Sequence, residues 1–116
     1  MAVKTIIAGG REYLFKAQDI QKLDELKHTI TEVVSGCARG ADTEGEKWAG
    51  KNNIPVKKFP ANWNKYGKSA GYRRNEEMAK YADAVILFPG GKGTGHMYDI
   101  AKRIGLQIYD FRGIND

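Results

Sequence analysis

Along this chain, short apolar runs alternate with stretches in which apolar residues recur every three or four positions. Val3–Ala8 reads as a first strand, closed by Gly9 and Gly10. From Asp19 to Lys27 the pattern turns helical, with Ile20, Leu23, Leu26 and Ile30 on one face. Glu32–Ser35 predicts a second strand ended by Gly36. Asp42 to about Asn52 predicts a second helix, with Ala41, Gly45, Trp48 and Ala49 at helical spacing. Pro55–Phe59 follows as a third strand ended by Pro60, then a polar and aromatic loop over Ala61–Gly71 and a helix over Arg74–Tyr81. Ala84–Phe88 is apolar without alternation, as a strand covered on both faces should be. The last helix is predicted from Thr94 to Ile104, where Gly105 ends it. Leu106–Tyr109 makes a fifth strand ahead of a polar tail.

Strands alternating with helices in this way predict βαβ units and a parallel sheet. The expected fold class is α/β: a single Rossmann-like three-layer α/β/α sandwich with a mostly parallel five-stranded sheet, one domain over residues 1–116. In open sheets of this kind a ligand binds beyond the carboxyl ends of the strands, where the strand order reverses. Three of the five strands end in glycine, at Gly9-Gly10, Gly36 and Gly90-Gly91. All three turns are therefore expected along the same edge of the sheet.

Composition sharpens this in two places. Glycine makes up 14 of 116 residues, about 12% against a usual value of about 7%, and it clusters at those strand ends. The net charge is +5, and its excess is concentrated: Lys57, Lys58, Lys65, Lys68, Arg73 and Arg74 fall between Lys57 and Asn75 with no acid among them. Such a run is either a solvated loop or a surface for anions. The rest excludes classes. No apolar run exceeds five residues, against the roughly 20 of a membrane helix. No signal sequence opens the chain, and Cys37 is the sole cysteine, so neither a disulfide nor a thiolate metal cluster is expected. A cytoplasmic protein without membrane association is the default expectation.

The candidate chemistry lies in the turns. In Phe88-Pro-Gly-Gly-Lys-Gly-Thr-Gly95, a glycine-rich turn between strand and helix lets backbone N–H groups and the helix dipole face a phosphate. Thr94 is placed to cap that helix and bond a phosphate oxygen. The segment is neither a P-loop nor a GxGxxG fingerprint. Ser35-Gly-Cys-Ala-Arg-Gly-Ala-Asp42 repeats the arrangement around Gly36 and Gly40. Its Arg39 suits a phosphate or carboxylate. Its Asp42 suits a helix cap, a bond to Arg39 or one to a ribose hydroxyl. Arg11 follows the first turn. Trp63, Tyr66 and Tyr72 interleave with cations and offer base-stacking surfaces, or simply anchor their loop. In the last helix Met97, Ile100, Ala101 and Ile104 form the apolar stripe. His96 and Asp99 are near enough to form an ion pair or to orient a general acid or base. Cys37, without a paired base, reads as a small filler residue, and no metal site is expected.

The segments GGR at 9–11, SGCARGAD at 35–42, FPANWNKYGKSAG at 59–71, RNEEM at 74–78 and FPGGKGT at 88–94 jointly resemble the YspA-like branch of the SLOG superfamily. That superfamily includes the LOG phosphoribohydrolases and the DNA-processing protein DprA, and the resemblance spans about residues 4 to 110. It implies a Rossmann-like domain whose glycine turns hold a nucleotide or nucleotide-derived molecule. LOG enzymes cleave the N-glycosidic bond of nucleoside 5′-monophosphates with an arginine and a glutamate, in RK-x-x-M and PGG-x-GT-x-x-E segments. Here Arg74 stands at the arginine, Asn75 replaces the lysine, Pro89–Thr94 matches the phosphate loop, and Met97 stands at the glutamate. A thioether neither stabilises an oxocarbenium ion nor activates water. Asp99, about 200° around the helix axis from that position, is a poor substitute.

The expectation is a module that senses or sequesters a phosphorylated nucleotide or an ADP-ribose- or NAD-related ligand. Gly90, Gly91, Gly93 and Thr94 would take phosphate, Arg11, Arg39 and Arg74 would supply charge, and Asn75 would bond ribose or base. The alternative is a nucleotide N-glycosidase using Arg74 with Asp42, His96 or Asp99 in place of the glutamate. A third reading is a DprA-like nucleic-acid binder using the 57–75 run. No cofactor is called for beyond the nucleotide-like ligand itself. A homodimer is expected by analogy with LOG relatives.

Overall fold

In the computed structural model, which describes residues 3–113, the predicted alternation folds into one five-stranded sheet. The strands are β1 (Lys4–Ala8), β2 (Glu32–Ser35), β3 (Val56–Lys58), β4 (Ala84–Leu87) and β5 (Gln107–Asp110). Their order is β3-β2-β1-β4-β5, and every pairing is parallel. β1 lies at the centre, with Thr5 opposite Val33 on one side and Ala84 on the other. β4 is buried along its whole length, which accounts for its unbroken apolar sequence. β3 at the edge keeps Lys57 and Lys58 exposed, and charged residues there discourage further strand pairing.

The helices are α1 (Ala17–Leu26), α2 (Ala41–Lys51), α3 (Trp63–Tyr66), α4 (Ala70–Tyr81) and α5 (Lys92–Ile104). Leu23 of α1 and Trp48 and Ala49 of α2 bury against Ile7, Val33, Ile86 and Phe88 on one face of the sheet. Met78 of α4 and Met97 and Ala101 of α5 bury against Ile6, Val34, Val85 and Leu87 on the other. These two apolar layers make the sandwich. The chain first builds outward from β1 to β3, then crosses over to build β4 and β5 on the opposite side. The strand order thus reverses between β1 and β4.

Several boundaries differ from the sequence pattern for identifiable reasons. α1 starts two residues before Asp19, because the Asp19 carboxylate reaches back to accept the Lys16 N–H at 2.9 Å and the Tyr13 hydroxyl at 2.6 Å. The polar loop over 61–71 contains α3, capped by the Asn62 side chain accepting from the Lys65 N–H at 3.0 Å, followed by a 3₁₀ turn over Gly67–Ser69. Few apolar residues mark that turn in the sequence. α4 begins at Ala70 rather than Arg74, and α5 at Lys92, two residues before Thr94, despite two low-propensity glycines in its first turn. The α5 stripe ends at Ala101. Ile104 is exposed, and Leu106, folded back by the left-handed turn at Gly105, packs against the core instead. The expected polar tail is apolar at Phe111, whose ring meets Phe88 at 5.8 Å, and residues 114–116 lie outside the described residues. Among the described residues no helix is long and apolar enough to cross a membrane.

Candidate functional site

The three glycine turns meet at Gly10. Its N–H donates to the Pro89 carbonyl at 2.8 Å, joining the ends of β1 and β4. Its own carbonyl accepts the Ala41 N–H at 3.1 Å, joining them to the start of α2. Backbones this close leave no room for side chains. A Cβ on Gly9 would stand 2.7 Å from the Ala41 Cβ, one on Gly40 would meet the Gly10 carbonyl oxygen at 2.3 Å, and one on Gly90 would meet the Thr94 hydroxyl at 2.2 Å. Gly40 also has a φ of 77°, in the left-handed region.

Beside this junction, at the reversal of strand order, opens a cavity of about 420 Å³. Gly9, Gly10, Ala38 and Asp42 line it from the β1 and β2 turns, and Gly91, Gly93 and Thr94 from the N-cap and first turn of α5. Arg11, Trp63, Lys68, Tyr72, Arg74 and Asn75 complete it. Gly91 and Gly93 differ from the junction glycines: a Cβ on either would meet nothing within 4 Å, and neither has a left-handed φ. Packing does not require glycine at these two positions. The cavity in front of α5 is nevertheless kept clear of side chains.

Arg74 forms the floor on the α4 side. Its Nη1 donates to the Gly36 carbonyl at 2.5 Å and its Nε to Asn75 Oδ1 at 3.2 Å. Burial pushes its pKa below the ordinary arginine value, and the Asp42 carboxylate partly offsets this. Asp42 is 8% exposed and lines the same cavity. Burial raises its pKa to about 6, against the pull of the Ala38 N–H and of Arg74. The Arg11 guanidinium sits 5.6 Å above the Trp63 ring, which is half exposed at the mouth. A second cavity of about 350 Å³ adjoins the first and shares Arg11, Ala38, Trp63 and Arg74 with it. Gly36, Cys37, Arg39, Pro60 and Ala61 line the remainder.

Not every predicted residue takes the expected place. Asp42 is not the cap of α2: Gly40 is, and the Asp42 carboxylate instead accepts the Ala38 N–H at 3.2 Å, holding the turn from inside. Thr94 is not a cap either; Gly91 is, and Thr94 lies in the first turn of α5, buried and facing the cavity. Arg39 points to solvent and pairs with Glu12 at 2.7 Å. Gly36, Gly40 and Gly90 belong to the close-packed backbone rather than to the wall of the larger cavity. Tyr66 lies off the cavity under the Arg73 guanidinium, 4.4 Å away. His96 bonds Asn75, not Asp99, and the Asp99 side chain is exposed to solvent. Cys37, expected as a small filler residue, is exposed at a φ of 67°; partial desolvation of its thiol and the nearby Glu46 raise its pKa. Met97, at the position of the LOG glutamate, is 1% exposed and packs in the core beneath α5. Among the described residues no three His, Cys, Asp or Glu side chains converge as a metal site would need. Lys68 and Gly71 line the cavity without having been singled out; the basic run was the available signal for the lysine.

A sequence model of the YspA, cpYpsA-related SLOG family matches residues 3–66. The Gene 61 protein of Mycobacterium phage D29 is 38% identical over 87 residues, 68% of this chain and 70% of that protein. Among solved structures, DNA processing protein A (DprA) from Streptococcus pneumoniae superposes with a TM-score of 0.72 at 17% identity, covering 93% of this chain. This chain spans half the length of that DprA chain. The protein TM1055 superposes with a TM-score of 0.68 at 14% identity, covering 91% of this chain and 72% of that one. Both superpositions are likenesses of fold.

Proposed function

The chain belongs to the YspA, cpYpsA-related SLOG family, and we propose that its switch-point cavity binds a phosphorylated nucleotide or nucleotide-derived molecule, as a sensor or sequestering module. The observation that carries this reading is the open wall. Gly91 and Gly93 face the cavity at the N-terminus of α5, where no packing demands glycine. A glycine inside a helix is destabilising by roughly 0.5–1 kcal/mol relative to alanine, so Gly93 in the first turn of α5 suits an anion that must approach the backbone closely. The N-terminal N–H groups and dipole of α5 favour a phosphate at that point. Arg74 and Arg11 supply charge opposite, and Trp63 and Tyr72 offer ring faces at the mouth for a base.

A hydrolytic second reading has one observation behind it. Asp42 is a buried carboxyl group in the same cavity, with a pKa of about 6 that suits proton transfer near neutral pH. One experiment separates the two. The protein is incubated with AMP, NAD and ADP-ribose, protein is separated from solution, and both fractions are chromatographed. Retention of an intact nucleotide, weakened on the order of 10²-fold by Arg74→Ala, is expected. Free base in solution, lost in Asp42→Asn, would establish hydrolysis. Failure of all three nucleotides to bind would sink both readings.

A further inference from the structure

Asn75 is 6% exposed and makes contacts in three directions. Its Oδ1 accepts from Arg74 Nε at 3.2 Å. Its Nδ2 donates to the Gly93 carbonyl at 3.3 Å and lies 3.2 Å from His96 Nδ1. A guanidinium only donates and a carbonyl only accepts, so two independent neighbours fix the amide in the same orientation. The two hydrogens of Nδ2 then go to Gly93 and to His96. The Nδ1 of His96 must therefore be an acceptor, with the ring neutral and its proton on Nε2.

We propose that Asn75 is a positioning residue that ties Arg74 to the first turn of α5, and that this lock closes only on neutral, Nε2-protonated His96. A proton on Nδ1 would set an N–H against the Asn75 amide N–H. The amide cannot turn over in response, because its NH₂ would then face Arg74 Nε and its oxygen the Gly93 carbonyl. Protonation therefore breaks the Asn75–His96 contact, and a shift of the Asn75 amide away from the charged ring loosens its hold on Arg74 and on the Gly93 turn. The groups facing His96 are known: the Tyr72 ring packs edge-on at 4.4 Å, the Glu76 and Asp99 carboxylates favour the charged ring, and Arg103 opposes it. Burial is the largest influence, and the balance lies below the ordinary histidine pKa. With the folded-state pKa depressed, the lock's contribution is present above about pH 6.5 and lost as pH falls through the folded value.

The consequence for ligand capture rests on the nucleotide reading; the lock itself does not. Two measurements test them separately. Long-range ¹H–¹⁵N NMR of the full chain reads the His96 tautomer and pKa. At pH 7.5 the ring is expected to carry its proton on Nε2. Asn75→Asp, which still accepts from Arg74 but cannot donate, should raise the His96 pKa by about one unit or more. A proton on Nδ1, or a His96 pKa unmoved in a folded Asn75→Asp protein, would overturn the lock. Calorimetric AMP binding at pH 7.5 and 5.5 then compares wild type with His96→Gln, whose amide does not titrate. Because Asp42 titrates in the same window, the readout is the ratio of the two affinities in each protein. Wild type should lose about 3- to 10-fold more affinity on acidification than the variant. Equal losses would overturn the coupling to Arg74. Absence of binding by AMP, NAD and ADP-ribose alike in wild type would overturn the nucleotide reading and with it the coupling, while the NMR result still decides the lock.

Discussion

Glycine serves opposite purposes at the close-packed junction of the three turns and at the start of α5, where it lines the switch-point cavity. At the junction of the β1, β2 and β4 turns, Gly9, Gly10, Gly40 and Gly90 are packed so closely that a Cβ on them would crowd the Ala41 Cβ, the Pro89 carbonyl, the Gly10 carbonyl and the Thr94 hydroxyl respectively, at 2.7, 3.1, 2.3 and 2.2 Å. At the start of α5, Gly91 and Gly93 face empty space. The first set is required by the fold, since backbones must touch for the three turns to be tied together. Gly93 weakens α5 slightly, and with the N-cap Gly91 it leaves the N-terminal N–H groups of the helix approachable. A strand-end glycine thus has two distinct physical meanings within a few ångströms, and mutation should tell them apart.

The largest effect is expected at the packed junction. Gly40→Ala places a Cβ 2.3 Å from the Gly10 carbonyl oxygen at a left-handed φ, and should destabilise the protein by about 3–5 kcal/mol, read as a large fall in the urea midpoint. A small change would mean that the turns are not locked together. Next comes Asp42, the buried carboxyl group that lines the cavity beside that junction. Its folded pKa of about 6 lies above the ordinary aspartate value, so its ionised form is a burden on the folded state above pH 6. Asp42→Asn should therefore stabilise the protein by about 1–3 kcal/mol at pH 7.5. The gain should shrink as pH falls through 6 towards 4, where the wild-type group is neutral. A gain that is independent of pH would show that Asp42 is not held at high pKa by burial.

The smallest effect on stability, and the sharpest for the comparison, belongs to the open wall. Gly93→Ala should raise stability by about 0.5–1 kcal/mol, because alanine is the better helix former and meets nothing. The same methyl group should weaken AMP binding about tenfold or more by standing where the ligand meets the helix. A variant that is both more stable and still binds AMP fully would leave the open wall without a function.

Much of this architecture was legible beforehand. Val3–Ala8 and Ala84–Phe88 announced buried parallel strands by composition alone, and the glycines after them located the ligand edge of the sheet. α3 was missed because Asn62, Trp63, Asn64, Lys65 and Tyr66 offer a cap but no repeating apolar face. Asp19 was read as a helix start, although its carboxylate reaches backwards across the first turn. Such errors are local and cost a residue or two of boundary.

The site residues divided differently. Arg11, Arg74, Asn75, Gly91, Gly93 and Thr94 do line one cavity; Arg11, Gly91, Gly93 and Thr94 do so because they follow strand ends at the same edge, which turn chemistry predicts, whereas Arg74 and Asn75 reach it from within α4. What each side chain does there was not in the local pattern. Arg39 leaves for Glu12, 27 residues away, and Asn75 is held by Gly93 and His96, 18 and 21 residues on. The sequence by itself determined the order of strands and helices, the clustering of glycine at strand ends and the excess of cations nearby, since these depend on residue spacing and intrinsic conformational preference. Only the tertiary structure decided which glycines are pressed against backbone and which face a void, and which polar groups are already bonded, because those are distances between elements that sequence neighbours do not set.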